Sequence, residues 1–103
     1  MFIRTQDRNG LVDINNMTIR VSGYEIICYN TACIADGGYE LLGHYSTKEK
    51  SLKVLDMIEE KYIKYLMINA AYLSVCNDER KCLIKELKDN FVFQMPKDEE
   101  VEV

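Results

Sequence analysis

Between Thr47 and Cys76 the chain contains neither Gly nor Pro, and Leu55, Ile58, Tyr62, Tyr65, Asn69, Tyr72 and Cys76 recur at three- and four-residue spacing on one stripe. The pattern predicts a long helix from about Thr47, either broken near Asn69 or continuous to Cys76; unbroken it spans roughly 45 Å, longer than the sheet of a small domain is wide. From Tyr65 to Asn77 there is no charged residue, and a second stripe of Ile63, Leu66, Ala70 and Leu73 joins the first, with Met67 and Ala71 between them. A helix that is apolar nearly all round must be covered nearly all round. With 103 residues the chain has room for one domain, whose sheet covers one face of such a helix. The rest falls to a following helix, to another subunit, or to both. The expected oligomer interface is therefore Tyr62, Tyr65, Leu66, Asn69, Ala70, Tyr72 and Leu73. Asn69 within the stripe either fixes register between paired helices or faces solvent or a ligand.

Upstream of this helix the period changes from 3.6 to 2. Short β-branched and aromatic runs are interrupted by Asn9-Gly10, Asn15-Asn16, Ser22-Gly23 and Asp36-Gly37-Gly38, all hairpin-type turn signals. The expected strands are Phe2–Asp7, Leu11–Ile14, Met17–Val21, Tyr24–Ala35 with a break near Asn30, and Tyr39–Tyr45. Turns this short favour an antiparallel meander of about five strands. Ser46-Thr47-Lys48-Glu49 reads as a capping box that opens the long helix. Downstream, Asn77 or Asp78 caps a shorter helix with Leu83, Ile84 and Leu87 on its apolar face, and Phe91-Val92-Phe93-Gln94-Met95 forms a last strand, stopped by Pro96 and expected to return to an edge of the sheet. The fold class is α+β. Residues 1–96 form one domain and 97–103 an acidic tail, expected to be disordered.

Thirteen Lys and Arg against seventeen Asp and Glu give a formal net charge of -4, which disfavours nucleic acid and anionic membranes as general partners. No uncharged run reaches the ~18–20 residues of a membrane span. Charges in the first eight residues leave no apolar signal-peptide core, so a cytoplasmic location with reduced thiols is expected. The four cysteines, Cys28, Cys33, Cys76 and Cys82, are spaced more loosely than a zinc knuckle and read as small buried hydrophobes. No metal site and no cofactor is expected.

Catalytic signatures are missing. There is one histidine, His44, no nucleophile elbow, no Walker loop and no G-x-G-x-x-G. Glu59-Glu60 and Asp78-Glu79 sit beside lysines as solvated helix-face charges. The chain is not expected to be an enzyme.

What remains is a binding constellation. The only basic groups before residue 47, other than the single histidine, are Arg4, Arg8 and Arg20, whose planar forks suit carboxylate or phosphate. With Gln6 and His44 as hydrogen-bonding groups and the rings of Tyr24, Tyr29, Tyr39 and Tyr45, they supply what a small anionic, nucleotide-like ligand needs. The competing reading is ordinary strand composition, since Tyr favours strands and an exposed Arg per strand is common.

The segments Phe2-Ile3-Arg4-Thr5-Gln6-Asp7-Arg8, Leu41-Leu42-Gly43-His44-Tyr45-Ser46-Thr47-Lys48-Glu49-Lys50, Leu52-Lys53-Val54-Leu55-Asp56-Met57-Ile58 and Phe91-Val92-Phe93-Gln94-Met95-Pro96 resemble short uncharacterised proteins of low-GC Gram-positive bacteria and their phages and prophages. The resemblance implies a small cytoplasmic protein of mobile-element origin, and it assigns neither an activity nor a site. Two functions fit these observations. One is a non-catalytic homo-oligomer that sequesters an anionic nucleotide signal of antiviral defence. The other is an acidic inhibitor or adaptor directed at a host protein.

Overall fold

The computed structural model describes residues 1–15, 17–30, 38–74 and 91–103. Their order is β1 (Phe2–Arg4), β2 (Leu11–Asp13), β3 (Met17–Ser22), β4 (Glu25–Asn30), β5 (Tyr39–His44), α1 (Lys48–Ser74), β6 (Val92–Gln94) and a 3-10 turn at Asp98–Glu100. The class is α+β, as the change of period implies. The shorter helix expected after Asn77, and the far end of the strand expected to reach Ala35, lie outside the described residues.

The strands do not form one meander. β3, β4 and β5 make an antiparallel sheet, while β1 pairs antiparallel with β2 on one side and parallel with β6 on the other. The N-terminal hairpin therefore takes its second neighbour from the far end of the chain, a pairing that short turn signals do not encode. Phe2 opposes Val92, Ile3 opposes Phe93 and Arg4 opposes Gln94.

In the β3–β4–β5 sheet the two-residue turn between Ser22 and Glu25 places Gly23 at φ 63°, a backbone conformation that glycine adopts without strain. Met17, Ile19 and Val21 share the inner face with the buried Ile26 and Cys28. α1 packs on that face through Val54, Ile58 and the fully buried Ser51, whose hydroxyl donates to the Tyr24 carbonyl at 3.0 Å. The core is completed by Ile3, Leu42, Tyr45 and Met95, each at most 1% exposed.

The helix start is displaced by one residue from the expected box. Thr47, not Ser46, is the cap: its Oγ1 accepts the Lys50 N–H at 3.2 Å. The Ser46 N–H donates to the Asp98 carboxylate at 2.7 Å, so a distant residue takes the role expected of Glu49. The acidic tail, expected as a frayed end, instead folds back. Lys50 Nζ donates to the Asp98 carbonyl at 3.0 Å and pairs with its carboxylate at 3.4 Å, and Val101 is buried in the core. A carboxylate at a helix N-terminus is favoured by the helix dipole, which explains why this charged segment is retained there. Accepting the Ser46 N–H holds the Asp98 carboxyl below the usual carboxylate range, with Lys50 acting in the same direction.

Candidate ligand-binding face

Antiparallel pairing puts directly opposed residues on one side of a sheet. On the outer side of β3–β4–β5, Arg20 opposes Ile27, which opposes Leu41, while Thr18 opposes Tyr29, which opposes Tyr39. Arg20 and Tyr39 are exposed and Tyr29 and Ile27 half-buried. These four, with Val21, Ser22 and Gly38, line an open groove of about 710 Å³, and among the described residues Arg20 is the only charged one that lines it. A guanidinium beside two phenol rings and an aliphatic floor can hold an anionic group and a flat ring together.

Three of the nine expected ligand-binding residues, Arg20, Tyr29 and Tyr39, thus converge on this groove. The others are placed elsewhere. Arg4 is exposed on β1, which belongs to the other sheet. Arg8 is exposed in the turn between Thr5 and Gly10 with φ 68°, a conformation supported by Arg8 N–H donating to the Thr5 carbonyl. In the same turn the Asp7 carboxylate accepts from Thr5 Oγ1 and Asn9 N–H, bonds that lower its pKa. Tyr24 is more than half exposed in the β3–β4 turn, and its carbonyl accepts the Tyr45 N–H.

Gln6 and Tyr45 are tied into the fold. The Gln6 carboxamide accepts the His44 N–H at 2.9 Å and donates to the His44 carbonyl at 3.1 Å, so one side chain serves the edge of β5 as a short strand would. It also donates to the Pro96 carbonyl at 3.2 Å. Tyr45 is fully buried and donates its hydroxyl to that same carbonyl at 2.7 Å. Burial, then the charges of Asp98 and Glu100, push the Tyr45 phenol far above its ordinary value, which keeps it a donor.

A bulge explains this division. β4 Ile26 and Ile27 oppose Gly43 and Leu41, leaving Leu42 as an extra residue in β5. A one-residue shift reverses every side chain beyond it. His44 is thereby brought opposite Glu25 on the outer face, exposed, and Tyr45 is turned into the core. Gly43 sits where a Cβ would approach Met95 Cε and the Tyr45 ring at 3.2 Å, so the absence of a side chain lets the bulge close.

Ile27, Ser22 and Gly38 were not among the expected residues. Ile27 shares the parity of Tyr29 on β4, and alternation alone marks it as a neighbour of the rings. The thiol of Cys28 lies on the inner face, and burial, then the Glu40 charge, push its pKa up, against a reactive role. Among the described residues no cluster of His, Cys, Asp or Glu could hold a metal ion, and no helix is long and apolar enough to cross a membrane.

On α1 the expected interface residues divide. Tyr62 and Tyr65 are half-buried and stacked at 6.4 Å, and Tyr65 also packs on Phe91 at 6.0 Å. Asn69 and Tyr72 are half-buried, Leu66 and Ala70 are exposed, and Leu73 lies in the last turn of the helix. Ile63 and Met67 add 50% and 69% exposed side chains beside Leu66, leaving an apolar stripe open to solvent. No family model, curated protein or solved structure matches the chain.

Proposed function

We propose that this is a non-catalytic binding protein that captures a small anionic, ring-bearing ligand of nucleotide type on the outer face of β3–β4–β5, and that it works as a homo-oligomer. The observation that carries the reading is the meeting of Arg20, Tyr29 and Tyr39 on one open groove. Stoichiometric capture requires a fork for phosphate and a surface for a base, both of which the groove offers, and no acid–base or metal machinery. The exposed stripe of Ile63, Leu66 and Met67 supports self-association. The resemblance to phage and prophage proteins supports a role in the cytoplasm of a bacterial host, where sequestering a nucleotide signal of antiviral defence has value.

A thermal-shift panel of mono-, cyclic and ADP-ribose-type nucleotides tests the reading. At least one member raises the midpoint by several degrees and is recovered intact after heat denaturation, and Arg20→Ala removes the shift. A panel without any shift ends the proposal. The alternative, an acidic inhibitor acting through residues 98–102, has less support: the Asp98 carboxylate is engaged by Ser46 and Lys50, and Val101 lies in the core.

A further inference from the structure

β3 is an edge strand with no second neighbour among the described residues. Ser22 and Glu25 close a two-residue hairpin and are a hydrogen-bonded pair, so by alternation Arg20 and Thr18 also direct their backbone groups to β4. Ile19 and Val21 direct theirs to the open edge. Beside that edge, between β3 and α1, runs an apolar groove of about 430 Å³ lined by Ile14, Met17, Ile19, Leu55, Ile58 and Tyr62, with Glu59 at its rim. An unpaired edge beside such a groove calls for an extended strand carrying apolar residues on its inner side.

We infer that a second copy of this chain occupies it, β3 against β3 in antiparallel register, with Ile19 on the two-fold axis. Every register centred on a residue of this strand keeps inner faces together, and the two nearest its middle, which pair the most of its six residues, centre on Ile19 and on Arg20. Placing Arg20 opposite Arg20 of the second copy sets like charges in a close, non-hydrogen-bonded pair. Placing Ile19 opposite Ile19 avoids this: Met17 then opposes Val21, and Thr18 opposes Arg20. The outward N–H and C=O groups of Ile19 bond each other across the axis, and the Val21 N–H reaches the Met17 carbonyl. Met17 is already suited to this, since its own N–H is used by the Ile14 carbonyl.

The helices fit the same axis. α1 packs on β3 and β4, so a two-fold axis at the β3 edge brings the two helices to the same side of the joined sheet, next to each other. Leu55, Glu59, Tyr62 and Leu66 fall within an arc of about 60° on the helix, so the groove continues into the exposed stripe, and the second α1 covers both. The pairing deepens the self-association in the proposed function. It also joins two outer faces into one six-stranded surface with the two Arg20 Cα atoms about 8 Å apart. If the ligand reading holds, two anionic groups of one ligand can be met by one fork from each copy.

Mixing Thr18→Cys with Arg20→Cys tests the register in the absence of any ligand. Opposed residues in a non-hydrogen-bonded pair lie about 4.5 Å apart at Cα, within disulfide reach, whereas either position and its own symmetry mate are about 8 Å apart. Both side chains are on the outer face, away from the core, and circular dichroism checks each variant's fold. The expected result is a 18-to-20 disulfide, located by peptide mass mapping, in the mixture and in neither variant alone. Self-linking of Arg20→Cys, or no link in a folded mixture, overturns the proposal. A dimeric mass for the unmodified chain by light scattering, without the link, overturns this interface while leaving self-association standing; a monomeric mass removes both. Nucleotide binding is read separately in either case.

Discussion

The Pro96 carbonyl is the point where the fold can be tested most sharply, because Tyr45 and Gln6 both donate to it. Tyr45→Phe removes one buried hydroxyl while the carbonyl keeps its bond from Gln6. The loss is that of a hydrogen bond whose acceptor stays satisfied, about 1 kcal/mol, equivalent to a fall of roughly 4–8 °C in Tm for a domain of this size. Gln6→Ala removes bonds to His44 as well, but those backbone groups lie where water can replace the amide. A cost of about 1–2 kcal/mol is expected. In the double variant the carbonyl loses both donors, adding a desolvation penalty of about 1–3 kcal/mol beyond the sum of the single changes. Urea unfolding of the four proteins, with m-values compared, measures this coupling. Strict additivity, or a Tyr45→Phe protein as stable as the parent, would refute the shared-acceptor argument.

The raised pKa of Tyr45 sets the sign of an alkaline effect. Above about pH 10 the unfolded chain ionises this tyrosine and the folded chain does not, so its contribution is present below that pH and lost as pH rises. Stability curves of the parent and Tyr45→Phe should therefore converge at high pH, and parallel curves would contradict the buried donor. Asp98 acts at the other end: its depressed pKa contributes stability above the ordinary carboxyl value of about 4, lost as pH falls through its folded value. Asp98→Asn should flatten the acid limb and speed amide exchange at Ser46, and an unchanged limb would show that the contact is idle. Gly43→Ala should cost about 1–3 kcal/mol by overpacking against Tyr45 and Met95, read from the denaturation midpoint, and a neutral result would mean that the bulge can relax.

Local chemistry made part of this architecture legible. Three- and four-residue spacing without Gly or Pro marked α1, whose continuity past Asn69 the spacing left open, and Ser22-Gly23 marked a two-residue hairpin. Features that depend on contacts distant in sequence were not legible. Nothing near Phe2 announces that its neighbour is Val92, and nothing in Asp98-Glu99-Glu100 announces that Ser46 and Lys50 await it. The candidate site divides along the same line. Arg20, Tyr29 and Tyr39 follow simple alternation and stand on one face, whereas Tyr45 lies beyond a bulge that alternation cannot see. Gln6 resembled a ligand-facing amide because its partners are backbone groups, which carry no sequence signature.

The parallel pairing of β1 with β6 also has a meaning in time. At synthesis rates of ~5–20 residues per second, the roughly 90 residues between these strands separate their appearance by roughly 5–20 s. The β3–β4–β5 sheet and α1 are local and can assemble within that interval, but the hairpin of β1 and β2 must wait with one edge bare. Newly made chains are therefore most vulnerable to mispairing and capture by chaperones at Phe2–Arg4, and the vulnerability ends only when Val92–Gln94 arrives. Slowing translation between residues 75 and 90 lengthens that exposure without changing a single contact of the finished protein.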